Sequence, residues 1–273
     1  MFTFPEVAAG DPLRVSATAY RTWLQCPEQA RSRLDDTNPP EHRYPADTVE
    51  GFRGSLTHGI IRHHLAVGPI DADNLPGVSR MVIGAGNLNE KMVALGIRPS
   101  QLASIVREVG DLYERFRQRS TEGFRAAEIG LEVEVAEGVT LVGTVDAVFD
   151  VEEGGVGLVD WKTGELGEAQ PQLDFYAALW ALRHDELPAR IEAASLRTGE
   201  RFEGRPGVAE IEATLGVVAD LVTSVRRALA TRTELERHGG PKCRYCPILT
   251  GCPEGATATK LAFLTLPLRG RAG

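Results

Sequence analysis

The sequence predicts an α/β fold, with a central mixed β-sheet flanked by helices and further helical segments at both ends of the chain. Three observations predict it. An amphipathic stretch at 101–119 gives way at residue 129 to strict period-two alternation. Two more strand-like runs follow closely, separated by a Gly-rich turn at 152–155. A helical pattern then returns at 170–182, ahead of a fourth apolar run at 190–196.

In chain order, residues 16–24 predict a short helix with Ser16 as its N-cap. The stretch 35–48 holds Pro39, Pro40 and Pro45 and predicts a loop. Leu56, Ile60 and Ile61 share helical spacing, which predicts a helix over 54–65. Leu102, Ile105, Val109, Leu112 and Phe116 form one stripe of a longer helix. Ile129, Leu131, Val133 and Val135 alternate with Gly130, Glu132, Glu134 and Ala136, as in a half-buried strand. Strands at 140–149 and 156–161 complete a three-stranded meander, and 207–237 predicts mostly helix. The tail after Ala256 predicts irregular chain.

The 273 residues are 42% hydrophobic, enough for a sizeable core in a single domain. Within it the expected core is 101–205, with helical parts at 14–100 and 206–256 closing on each other. No run of about 18 apolar residues occurs, so no membrane span is expected. The first ten residues lack the basic flank and apolar run of an export signal, and a cytoplasmic location is expected. A net charge of −8 argues against broad coating of nucleic acid but leaves room for a local basic groove.

Asp146 lies within a strand-like segment, Val142-Gly-Thr-Val-Asp-Ala-Val-Phe149, and Asp160 ends the run Gly157-Leu-Val-Asp160. Acids in apolar strands are costly unless paired or bound to metal. Lys162 stands two residues after Asp160, on the same strand face, while Trp161 points away. Carboxylates that fix a hard divalent cation would suit phosphodiester hydrolysis. The bland alternatives are a surface acid at Asp146, a simple ion pair at Asp160 and Lys162, and a structural role for His58.

Taken together, Leu56-Thr-His-Gly-Ile60, Gly143-Thr-Val-Asp146, Val159-Asp-Trp-Lys-Thr-Gly164 and Gln172-Leu-Asp-Phe-Tyr176 resemble the motifs of RecB-like exonucleases in the PD-(D/E)xK superfamily. The resemblance spans residues 16–252 and implies a restriction-endonuclease-like core. It implies Mg²⁺ or Mn²⁺ held by His58, Asp146, Asp160 and the backbone carbonyl of Trp161. It further implies that Lys162 orients the attacking water, and that Gln172 and Tyr176, four apart on one helix face, brace the site or touch DNA. Glu132 or Glu134 is a further candidate for the metal site, with a solvated strand face as the alternative.

Cys243, Cys246 and Cys252 lie in one short segment, and Cys26 is far upstream. Four thiolates suit zinc or an iron–sulfur cluster, and spacing alone slightly favours zinc. The pattern of one early cysteine and three late ones is similar to AddB-type nucleases. That likeness implies a structural 4Fe–4S cluster clipping the two ends of the domain together.

Arginines at 53, 62, 107, 115, 117, 119 and 125 are candidates for backbone contacts to DNA, or for a solvated helix face. No sequence-reading module and no Walker loop occur. The leading expectation is a metal-dependent exonuclease of DNA repair or recombination, acting on single-stranded DNA or DNA ends, with a helicase or other recombination protein as partner and no membrane. The alternatives are a catalytically silent nuclease fold that binds DNA or a helicase, and a zinc-stabilised interaction protein.

Overall fold

The computed structural model describes residues 2–39, 43–44, 48–152 and 154–265, with side chains at 85–86 and 262–265 outside that description. In chain order the elements are β1 (Leu13–Ser16), α1 (Ala17–Gln25), α2 (Pro27–Leu34), α3 (Val49–Val67), α4 (Leu75–Ile83), α5 (Ala85–Ala94) and α6 (Pro99–Arg117). After these come β2 (Phe124–Ala136), β3 (Val139–Asp150), β4 (Val156–Lys162), α7 (Gln170–His184), β5 (Arg190–Ser195), β6 (Arg201–Gly204), α8 (Val208–Thr231) and α9 (Pro253–Thr265). None of these helices is long and apolar enough to cross a membrane.

The chain divides into two units. The larger comprises Met1–Phe2, Pro45–Val133 and Val142–Thr214. Its sheet is mixed, as expected: β3 pairs antiparallel with β4, β4 parallel with β5, and β5 antiparallel with β6, while β2 pairs β3. The parallel β4–β5 pair requires a crossover, and α7 supplies it. Residues 175–181 of α7 are buried on every side of the helix, the pattern of a core helix. On the other sheet face, Ala147, Phe149, Val159, Trp161, Ala194 and Leu196 join Phe52, Leu56, Ile60 and Ile61 of α3 and Ile105, Val109, Leu112 and Phe116 of α6 in one core. Gly59 lets α4 approach α3: a Cβ there would lie 2.1 Å from Val82 Cγ1.

The smaller unit comprises Thr3–Tyr44, Glu134–Leu141 and Leu215–Gly273. Ser16 caps α1 as expected, its hydroxyl accepting from Ala19 N at 3.2 Å. Arg226, 7% exposed, donates to the carbonyls of Asp11, Ala8 and Glu137 at 3.1, 2.6 and 2.8 Å. Its charge is thus buried against backbone acceptors from two distant segments, 8–11 and Glu137. Glu28, 2% exposed, accepts from Leu235 N at 2.8 Å and pairs with Arg31. The N-terminal helices and the segment leading to the late cysteines therefore meet within this unit.

Several sequence expectations need correction. Residues 257–265, expected to be irregular, are helical, since α9 continues to Thr265, and the rest of the tail lies outside the described residues. The helix expected over 207–237 stops at Thr231, where Arg232 turns left-handed (φ 54°). β1, α2, α4, α5 and β6 stand outside the expected elements. β2 begins at Phe124 rather than 129, because Glu128 adopts φ 53° inside the strand and disrupts the alternation before it. The loop expected at 35–48 falls partly outside the described residues, Pro40 and Pro45 included.

Candidate active site

The site lies where two strands of the larger unit part. Pairing of β3 with β4 runs from Asp150↔Val156 to Ala147↔Val159. Beyond it the Trp161 N–H is taken up by a side chain, donating to Asp146 Oδ2 at 2.6 Å. The Asp146 carboxylate thereby bridges the fork. Its other oxygen, Oδ1, lies 3.0 Å from His58 Nδ1, delivered by α3.

Asp160, 4% exposed, stands beyond the fork on β4. Lys162 Nζ forms a close ion pair with Asp160 Oδ2 at 2.7 Å. Lys162 Nζ also donates to Gln172 Oε1 at 2.7 Å. Gln172 Nε2 in turn faces Asp160 Oδ1 and Tyr176 Oη, each at 2.9 Å. An ammonium only donates, so the amide must turn its oxygen to Lys162 and its nitrogen to Asp160. Gly143 accommodates this arrangement, since a Cβ there would come 3.0 Å from Tyr176 Cε1.

One acid escaped the sequence reading. Glu128, His58 and Asp146 present ligand atoms within 4.8 Å of one another, and Glu128, rather than Glu132 or Glu134, is the β2 acid in that set. The only signal in the sequence is an acid between Ala127 and Ile129, just ahead of the alternation that starts at Ile129. Its left-handed backbone is unusual for a non-glycine residue and places it 4.0 Å from His58 Nδ1.

The electrostatics suit a divalent cation. Burial, then the Asp146 charge, push Asp160 up to about 6, against the opposing pull of Lys162. Burial and Asp146 likewise raise Glu128. Burial pulls His58 down, yet its hydrogen bond to Asp146 and the surrounding carboxylates raise it overall. The carboxylate oxygens of Glu128 and Asp146 with one imidazole nitrogen fit a hard divalent ion such as Mg²⁺ or Mn²⁺.

The candidate DNA-binding arginines are largely engaged within the protein. Arg53 pairs with Glu108, Arg117 with Glu114, Arg119 with Glu192 and Arg125 with Asp150, while Arg115 donates to the carbonyls of Leu196 and Arg197.

In the smaller unit the four cysteines line one small cavity with His238, Ile248 and Leu249, and none forms a disulfide. Backbone N–H groups point at three of the sulfurs: His238 N to Cys26 at 3.4 Å, Gly240 N to Cys243 at 3.3 Å, and Gly255 N to Cys252 at 3.3 Å. Burial and the neighbouring thiols push the Cys246 thiol up. The four sulfurs thus line one common pocket of the smaller unit.

Comparison with known proteins gives a family. No curated protein matches the sequence significantly. Among solved structures, SSO0001 is similar at 13% identity and TM-score 0.40, covering 91% of this chain and 88% of that one. A protein from Eubacterium rectale provisionally described as an exonuclease is similar at 12% identity and TM-score 0.48, covering 81% and 83%. The sequence also matches the PD-(D/E)XK nuclease superfamily over residues 14–253, and on that match the chain belongs to this superfamily.

Proposed function

We propose that the protein is a Mg²⁺- or Mn²⁺-dependent deoxyribonuclease, a RecB-like exonuclease working on DNA ends or single strands in repair or recombination. The observation that carries this reading is the closed chain Lys162–Gln172–Asp160 beside the group of His58, Glu128 and Asp146. A silent site has no physical need for a lysine held this way beside so many carboxylates.

His58, Asp146, Glu128 and Asp160, with the carbonyl of Trp161, would hold the metal. When bound, it supplies charge neutralisation for the phosphate and a more acidic water. Lys162 has three ammonium protons. One is given to Gln172 and one faces Asp160, which leaves the third to orient the attacking water or the phosphate oxygen. Gln172 and Tyr176 act as positioning residues, fixing Lys162 and Asp160 relative to each other. In the smaller unit, Cys26, Cys243, Cys246 and Cys252 would hold a 4Fe–4S cluster, zinc being the alternative. Its role there is structural, and a helicase or related recombination protein is the expected partner.

End-labelled DNA digested in Mn²⁺ or Mg²⁺ tests the proposal. The natural protein should degrade it, and Lys162→Ala should be slower by on the order of 10²–10³-fold, the usual effect of removing one transition-state donor. Equal rates in both would show that this site is not the source of cleavage.

A further inference from the structure

Arg53, Arg115, Arg117, Arg119 and Arg125 are engaged in internal contacts, yet two other arginines beside the strand fork are not. Arg62 is exposed and stands one turn beyond His58 on α3, on the same helix face. It makes no hydrogen bond or ion pair among the described residues, although its charge reaches Glu128. Burial and Asp146 raise that carboxyl, while His58 and Arg62 oppose them.

Arg197 is exposed just past the end of β5 and is held against the end of β4. Ser195 lies opposite Lys162 across the parallel strands, Leu196 N donates to the Lys162 carbonyl at 2.8 Å, and Arg197 Nε donates to the Thr163 carbonyl at 3.2 Å. The two terminal nitrogens of its guanidinium have no partner among the described residues. The exposed acids nearest these contacts in the chain are Glu165 and Glu200, and neither forms an ion pair with Arg197 among the described residues.

α3 links the two arginines. A Cβ on Gly54 would lie 3.6 Å from Thr163 Oγ1, so the start of α3 rests against the segment that holds Arg197. Arg62 comes two turns later, about 12 Å along the helix, with His58 midway between Gly54 and Arg62. A phosphate approaching the metal group also meets Glu128, Asp146 and Asp160, in a chain of net charge −8. Local cations must offset that repulsion if a polyanion is to settle there.

We propose that Arg62 and Arg197 seat the substrate, each binding a backbone phosphate of one DNA strand on either side of the metal group. Guanidinium forks match phosphate oxygens, and both forks present free N–H groups. The proposal rests on the nuclease reading for its substrate and adds the residues that hold it.

The test follows binding of a fluorescent single-stranded oligonucleotide by anisotropy, at one fixed Mn²⁺ concentration and across a series of NaCl concentrations. It uses the full chain carrying Lys162→Ala, so that cleavage is slow. Adding Arg62→Gln or Arg197→Gln should weaken binding several-fold and leave the melting temperature unchanged. Each should also lower the slope of log affinity against log salt by about 0.7, the value for one phosphate contact on a single strand. Arg107→Gln, which removes an exposed arginine of α6, should alter neither affinity nor slope. An unchanged slope in either Arg62→Gln or Arg197→Gln overturns the proposal. So does an equal loss in Arg107→Gln, or failure of the oligonucleotide to bind at all. Because the readout is binding, equal cleavage by the natural protein and Lys162→Ala would sink the nuclease reading while these slopes still decide the role of the arginines.

Discussion

The strand fork and the cysteine corner are both clusters of groups that repel one another, yet they are built in opposite ways. At the fork, regular elements fix the ligands: α3 brings His58, β3 Asp146, β4 Asp160 and Lys162, and α7 Gln172. Their hydrogen bonds hold one another in place without any ion. At the corner, Cys243 and its neighbours sit on short 3₁₀ turns, Pro241–Tyr245 and Leu249–Gly251, and Cys26 lies between two short helices. Such segments carry little stability of their own. On the proposed function, the fork is preorganised for chemistry, whereas the corner would depend on the cluster it holds.

The largest test of that contrast is Cys26→Ala. If the four thiolates clip distant segments together, losing one should lower the melting temperature by more than about 10 °C and bleach any iron–sulfur absorbance near 400 nm. A variant with full colour and an unchanged melting curve would remove the distinction between the two regions. Glu128→Gln should act the other way. Mn²⁺ affinity, read by electron paramagnetic resonance, should fall about 10–100-fold while thermal stability stays close to that of the natural protein. An unaltered Mn²⁺ affinity would take Glu128 out of the site.

A smaller effect concerns Asp174, half-buried on α7. Burial, then the charge of Glu210, raise its carboxyl to about 6. A folded-state value above the unfolded one means the fold favours the protonated acid. The natural protein therefore loses this contribution as pH climbs from about 4 through about 6. Asp174→Asn should match the natural protein near pH 4 and melt a few degrees higher at pH 8. A difference that does not change with pH would show that Asp174 does not titrate this way.

Much of this was legible in the chain. Apolar runs either side of a Gly-rich turn located β3 and β4, and with them the spacing of Asp146, Asp160 and Lys162, because side-chain direction in a strand follows from residue number. Helical spacing put Gln172 and Tyr176 on one face of α7, where Gln172 Nε2 indeed reaches Tyr176 Oη. The four-residue strands β1 and β6 were not legible, since too few pleats repeat for a period to show.

By itself, then, the sequence determined which residue types stand at which strand and helix positions, since local periodicity and capping are written in near neighbours. Only the tertiary structure decided that β3 and β4 part after Ala147↔Val159 so that Asp146 reaches across to the Trp161 N–H, that Glu128 turns left-handed toward His58, and that Arg197 reaches the Thr163 carbonyl. Each depends on where chains distant in sequence meet, and on which buried polar groups are left for one another, which no local pattern encodes.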